Sequence, residues 1–160
     1  MRLSLAILAL ALVVRADDSP RVHVNIMVPA LDIVHMADML GAKETGNHWD
    51  GRPGSCGELG EHQITEGVWH QHMGSRPFSD CRIVNLEYSC TLLHIRWLED
   101  QISRHGLTVS PETVATAWNH GLGYLYRHAH QHTAYGVEVS ALYYALWRGG
   151  LCPVLCLRST

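Results

Sequence analysis

The sequence predicts an all-α domain of about six helices with a glycine-rich loop or short hairpin after the first, and three observations carry that expectation. Helix-starting and helix-stopping residues bracket most of the chain in pairs: Pro29 and Gly46, Thr65 and Gly74, Ser79-Asp80 and Gly106, Ser110-Pro111 and Gly121. Between these brackets apolar residues recur at spacings of three and four, which places them on one helix face. At 160 residues, without an internal repeat or a low-complexity linker, the chain has room for one domain with a modest core.

The first segment, "MRLSLAILALALVVRADD", carries Arg2, an apolar run from Leu3 to Val14 and a small-residue cleavage pattern ending at Ala16. This run is shorter than the roughly 20 apolar residues a bilayer span needs. Residues 1–16 are therefore expected to be a signal peptide, 17–28 a lead-in, 29–149 the folded domain and 150–160 a tail. The expected location is exported, periplasmic or secreted, with no stable membrane span after cleavage.

Without Arg2 and Arg15 the chain has 10 basic and 15 acidic residues, a formal charge of −5 with histidines neutral. A basic footprint for a phosphate backbone is missing, and nucleic acid is not an expected partner.

Pro29 is expected to open the first helix, with Leu31, Val34 and Leu40 on its apolar face and Gly46 as its end. Glu44 then falls in the last turn. "DGRPGSCGELG", Asp50 to Gly60, reads as a glycine-rich loop or a short hairpin. Thr65 caps a short helix through Trp69 to Met73, and Ser79-Asp80 opens a long helix to Gly106. Its stripe Ile83, Leu86, Cys90, Leu93 and Trp97 is expected to face the core. Ser110 and Pro111 start a helix that stops at Gly121. A further helix is expected through "LYRHAHQH", and the last through "YGVEVSALYYALWRGG", with Val139, Leu142, Tyr143 and Leu146 inward.

Five cysteines, Cys56, Cys81, Cys90, Cys152 and Cys156, lie beyond the expected cleavage point, and export would oxidise them. Two bridges among them can be drawn in 15 ways and one cysteine is left over; Cys56–Cys81 is the preferred bridge, because it would staple the glycine-rich loop, and Cys152 and Cys156 are either a second bridge or two free thiols. Cys90 sits in a helical apolar pattern and reads as core. The chain has twelve histidines, with clusters at His70 and His72 and at His128, His130 and His132. His128 and His132 would share a helix face, but no H-E-x-x-H is present, so no metal or cofactor is expected. A cysteine peptidase would need Cys56 or Cys90 beside a histidine, and no strand-rich scaffold pattern accompanies them.

Acid catalysis on a glycosidic bond needs a carboxyl group protonated near neutral pH, and burial together with a helix C-terminus favours that state. Glu44, at the end of an apolar helix, meets the positional requirement. The motifs "ETGN" at Glu44, "GELGEHQIT" at Gly57, "NLEYSCTLLHIRWLEDQ" at Asn85, "ATAWNHGLG" at Ala115 and "YGVEVSALYYAL" at Tyr135 follow one another in an order that resembles the lytic transglycosylases. These are soluble, goose-type-lysozyme-like enzymes of peptidoglycan, and the resemblance covers roughly residues 31–147.

The resemblance implies a set of roles. Glu44 would be the catalytic acid and base, followed by Thr45 where the family usually has serine. Gly60 and Gln63 match the glycine and glutamine of a loop that borders bound sugar. Trp118 and Asn119 stand at the family's tyrosine and asparagine, with Gly121 at its following glycine. His120, Trp118, Glu58 and Glu61 depart from the pattern; an indole keeps the flat surface for sugar but loses the phenol's hydrogen bond.

The implied reaction cleaves the β-1,4 bond between N-acetylmuramic acid and N-acetylglucosamine, with the sugar's own C6 hydroxyl as nucleophile and a 1,6-anhydro product. One acid suffices for such an intramolecular attack. A lysozyme-type hydrolase would use a second acid, with Glu58 ahead of Glu61, Asp50 and Asp80, and a non-catalytic glycan-binding domain is the third alternative. The expected partner is a peptidoglycan glycan strand.

Overall fold

The computed structural model describes residues 30–128 and 131–149. The expected signal peptide and lead-in, Pro29, Cys152, Cys156 and the tail lie outside these residues. Within them the chain is all-α: six α-helices, one 3₁₀ turn and a single isolated β-bridge.

Helix α1 spans Ile33–Thr45. Its start is set by Asp32 rather than by a proline, because the Asp32 carboxylate accepts from the N–H groups of Val34 and His35 at 3.0 and 3.1 Å. Gly46, at φ 67°, ends it in the left-handed conformation that glycine adopts without a Cβ penalty. Met36, Ala37, Met39 and Leu40 form its buried face.

The expected loop or hairpin reduces to one antiparallel bridge, Leu59 to Ile64, closing a turn over Gly60–Gln63. Helix α2, Glu66–Met73, follows from the Thr65 cap as expected and buries Trp69.

Ser79-Asp80 does not open the long helix. Phe78–Arg82 is a 3₁₀ turn that buries Cys81, Ile83 is extended, and helix α3 begins afresh at Val84 and runs to Arg104. Of the stripe expected on α3, Cys90 is buried and Leu86 and Trp97 pack against the core, but the other two residues turn outward. Ile83 and Leu93 are about half exposed, whereas Glu87, Cys90, Thr91, His94, Ile95, Leu98 and Ile102 are buried. The physical reason is that α3 is central and packs against α1, α2 and the two helices that follow. Polar side chains on its inner faces are covered because they find hydrogen-bond partners, and an apolar count alone cannot see them.

Helix α4, Pro111–His120, has a capping box between Ser110 and Thr113. Helix α5 is only Leu122–Arg127 and stops at His128, so His128 and His132 do not share a helix face. His132 instead pairs with Glu112 on α4. Helix α6, Ala134–Gly149, buries Val139 and Tyr143 and packs Leu146 on the core, while Leu142 stays exposed. It approaches α4 at Gly136, where a Cβ would stand 2.4 Å from Thr116 Oγ1 and 2.9 Å from the Glu112 carbonyl oxygen.

The core has two parts. The larger joins α1, α3, α4, α5 and α6; the smaller gathers Leu59, Ile64, Trp69, Cys81 and Cys90 beneath the turn, and Trp118 packs against both. Cys90 is core, as expected. The Cys56–Cys81 bridge is not formed: Cys56 is exposed and Cys81 is buried, its thiol directed at the Leu59 carbonyl. No helix among the described residues is long and apolar enough to cross a membrane.

Candidate functional site

Glu44 occupies the last turn of α1, partly buried, with the Gly46 stop directing the chain away from it. Its Oε1 accepts a 2.5 Å hydrogen bond from the Tyr135 hydroxyl near the start of α6. Burial pushes the Tyr135 phenol far above its ordinary pKa, and the hydrogen bond to Glu44 and its negative charge add to the effect. Tyr135 therefore keeps its proton at any working pH and acts as a fixed donor. Beside it, Lys43 forms an ion pair with Glu138 of α6, and its ammonium lies 5.9 Å from the Tyr135 ring centroid. The end of α1 is thus tied to α6 by two neighbouring side chains.

The glycine-rich segment supplies the opposite side. Gln63 adopts φ 54°, unusual for a residue with a Cβ, and its Nε2 donates to the Gly60 carbonyl at 2.9 Å. Glu58 is oriented by the backbone N–H of Cys56, which donates to its Oε2 at 2.9 Å. Gly54 makes room for both: a Cβ there would lie 2.3 Å from Gln63 Oε1 and 2.5 Å from Glu58 Oε2.

Between these elements and the end of α4 lies a cleft of about 300 Å³ lined by Glu44, Ser55, Glu58, Gln63, Thr65, Trp118 and Asn119. Five of the residues singled out in the sequence meet there: Glu44, Glu58, Gln63, Trp118 and Asn119. Thr45 and Gly60 do not line it. The Thr45 hydroxyl donates to the Glu61 carbonyl at 3.0 Å and fastens α1 to the turn, so it is spent on backbone. Gly60, at φ 82°, backs onto Glu87, whose Cγ would lie 2.4 Å from an added Cβ.

Of the carboxylates weighed as second acids, only Glu58 lines the cleft. Glu61 lies on the other side of the turn, in a separate cavity of about 190 Å³ with Asn47, Trp49 and Arg82. Beneath the turn, His62 and Glu87 form a buried pair. Glu87 Oε1 accepts from the His62 backbone N–H at 2.9 Å and stands 2.8 Å from Nδ1, and Nε2 donates to the Ala37 carbonyl at 3.1 Å. This pair ties the catalytic-helix candidate α1, the turn and α3 to one point.

The sequence does not single out Tyr135, Ser55 or Thr65 as site residues; Thr65 reads there only as a helix cap. Tyr135 was inside a recognised motif, yet its contact with Glu44 spans 91 positions, a separation no local spacing rule covers. No group of histidine, cysteine and carboxylate side chains suited to a metal occurs among the described residues.

No family model, curated protein or solved structure matches this chain.

Proposed function

We propose that this chain is a peptidoglycan lytic transglycosylase that cleaves the β-1,4 bond between N-acetylmuramic acid and N-acetylglucosamine, with Glu44 as its catalytic acid and base. The observation that carries the reading is the meeting of Glu44, Gln63, Trp118 and Asn119, from three separate stretches of chain, in one cleft. With Oε1 held by Tyr135, Oε2 of Glu44 is the oxygen available to the glycosidic bond.

In this mechanism Glu44 protonates the leaving O4 oxygen as the C1–O4 bond breaks. The substrate's acetamide shields the positive charge at C1. The C6 hydroxyl then attacks C1 and gives its proton to Glu44, closing the 1,6-anhydro ring and restoring the acid. Trp118 offers an apolar face to a sugar ring, and Gln63 and Asn119 offer amide donors and acceptors to its substituents.

Glu58 favours one second reading. A carboxylate lining the same cleft and held by a backbone N–H is suited to activating water or trapping C1, the two roles a hydrolysing muramidase requires.

Mass spectrometry of the products released from purified peptidoglycan separates these readings. Anhydro-muropeptides that disappear in Glu44→Gln are the expected result. Reducing-end products lost in both Glu44→Gln and Glu58→Gln would make the chain a hydrolase. Oligosaccharide binding without any product would leave a glycan-binding domain.

A further inference from the structure

Trp118 is the aromatic wall of the cleft, and what stands behind it is a pair of histidines. His94 of α3 is buried, 7% exposed, with its ring edge-on to the Trp118 indole at a centroid distance of 5.3 Å. Its other contacts leave it little freedom. Trp97 stacks on it at 5.3 Å with the planes 16° apart, and its Nδ1 lies 2.9 Å from Nε2 of His72 on α2. His72 is itself edge-on to Trp97, and it is partly exposed where His94 is not. A line of contacts therefore runs from the protein surface through His72 and His94 to the indole that borders the cleft.

A hydrogen bond between two imidazoles needs one N–H and one lone pair. One added proton is tolerated, since an imidazolium His72 still donates to His94. A second is not, because two N–H groups on two cations would face each other at 2.9 Å. We propose that the His72–His94 pair positions Trp118, holding the indole as the cleft wall while the pair is hydrogen-bonded and releasing it when both rings are protonated.

Burial, and then the neighbouring His72, hold His94 down at about 4, and burial lowers His72 as well. The groups facing His94 are few. Helix α2 presents His72, α4 presents Trp118, which does not titrate, and α3 presents Trp97 and, one turn earlier, the Cys90 thiol, pushed up by burial to about 12. Among the described residues His72 is the one whose charge acts on His94. The wall is thus held at neutral pH and lost as pH falls through about 4. The consequence for glycan affinity rests on the function proposed above; the coupling to Trp118 does not.

The test follows the Trp118 indole N–H by NMR, assigned through Trp118→Phe, as pH is lowered from neutral, and in parallel measures chitotetraose affinity in Glu44→Gln. The expected result is a local shift of Trp118 near the His94 midpoint, with affinity weakening about tenfold over the same range. In His72→Gln, a carboxamide that never titrates, the midpoint should move up because the neighbouring charge is gone. An indole signal that does not move while chitotetraose still binds overturns the proposal, and so does a shift that coincides with global unfolding. A local Trp118 shift with no chitotetraose binding at any pH upholds the coupling and overturns the glycan reading.

Discussion

The Tyr135 hydroxyl and Glu44 Oε1 are 2.5 Å apart, and the phenol's raised pKa makes the tyrosine the donor throughout. Hydrogen bonds to a charged group contribute roughly 1.5–3 kcal/mol. On the proposed function, Tyr135→Phe is expected to lower kcat on peptidoglycan by roughly 10- to 100-fold with a small change in KM, measured by release of soluble fragments, because the lost contact would orient the proposed acid rather than grip sugar. The buried pair beneath the turn makes a different demand. Glu87→Ala leaves the His62 ring and backbone N–H without their acceptor, and a loss of about 3 kcal/mol in urea unfolding is expected. Thiol chemistry separates the cysteines in the same way. Burial pushes Cys81 and Cys90 up to about 12, so neither supplies thiolate near pH 8, whereas Cys56 is exposed. Peptide mapping after brief alkylation of the native protein should find Cys56 modified and Cys81 and Cys90 protected until the chain is unfolded.

At the scale of the element, the cleft depends on how closely α6 lies against α4. Gly136 faces α4 closely, and a methyl group there would press on Thr116 Oγ1 and on the Glu112 carbonyl, backbone that cannot swing away. Gly136→Ala should cost about 1–3 kcal/mol of stability. It should also lower activity beyond that, because the shift carries Tyr135, the adjoining residue, away from Glu44. Denaturant melts read beside activity at a temperature where the variant is fully folded distinguish the two effects. Helix ends were the most legible elements. Thr65, Ser110, Gly46, Gly74 and Gly121 all stand where their cap chemistry places them. The start of α3 was not legible, because burial of Cys81 holds Phe78–Arg82 as a separate 3₁₀ turn, and no capping residue announces the break at Ile83.

For the molecule as a whole, the buried His94 makes the core sensitive to acid. His94 is depressed to about 4 in the folded chain, against about 6.5 when exposed. A depressed group stabilises the fold above its unfolded pKa and loses that contribution as pH falls through the folded value, so stability should decline between about pH 6.5 and 4. The midpoint of urea unfolding, followed over that range, should fall less steeply in His94→Gln, which does not titrate. Trp118 packs against both parts of the core and against His94, so the same titration bears on the cleft as well as on the core.

The sequence by itself determined the helical class, the caps and the positions of Glu44, Glu58, Gln63, Trp118 and Asn119 as candidates. These are short-range features: a cap bonds within one turn, and a motif is read over neighbouring residues. The tertiary structure decided which candidates share a cleft. It sent Thr45 to a backbone carbonyl, turned Glu61 to the far side of the turn, and brought Tyr135 to Glu44. It also chose the buried face of α3, where His94 and Glu87 are covered against the expectation from apolarity. Those outcomes rest on hydrogen bonds and ring contacts between residues far apart in the chain, whose partners exist only once the helices have packed.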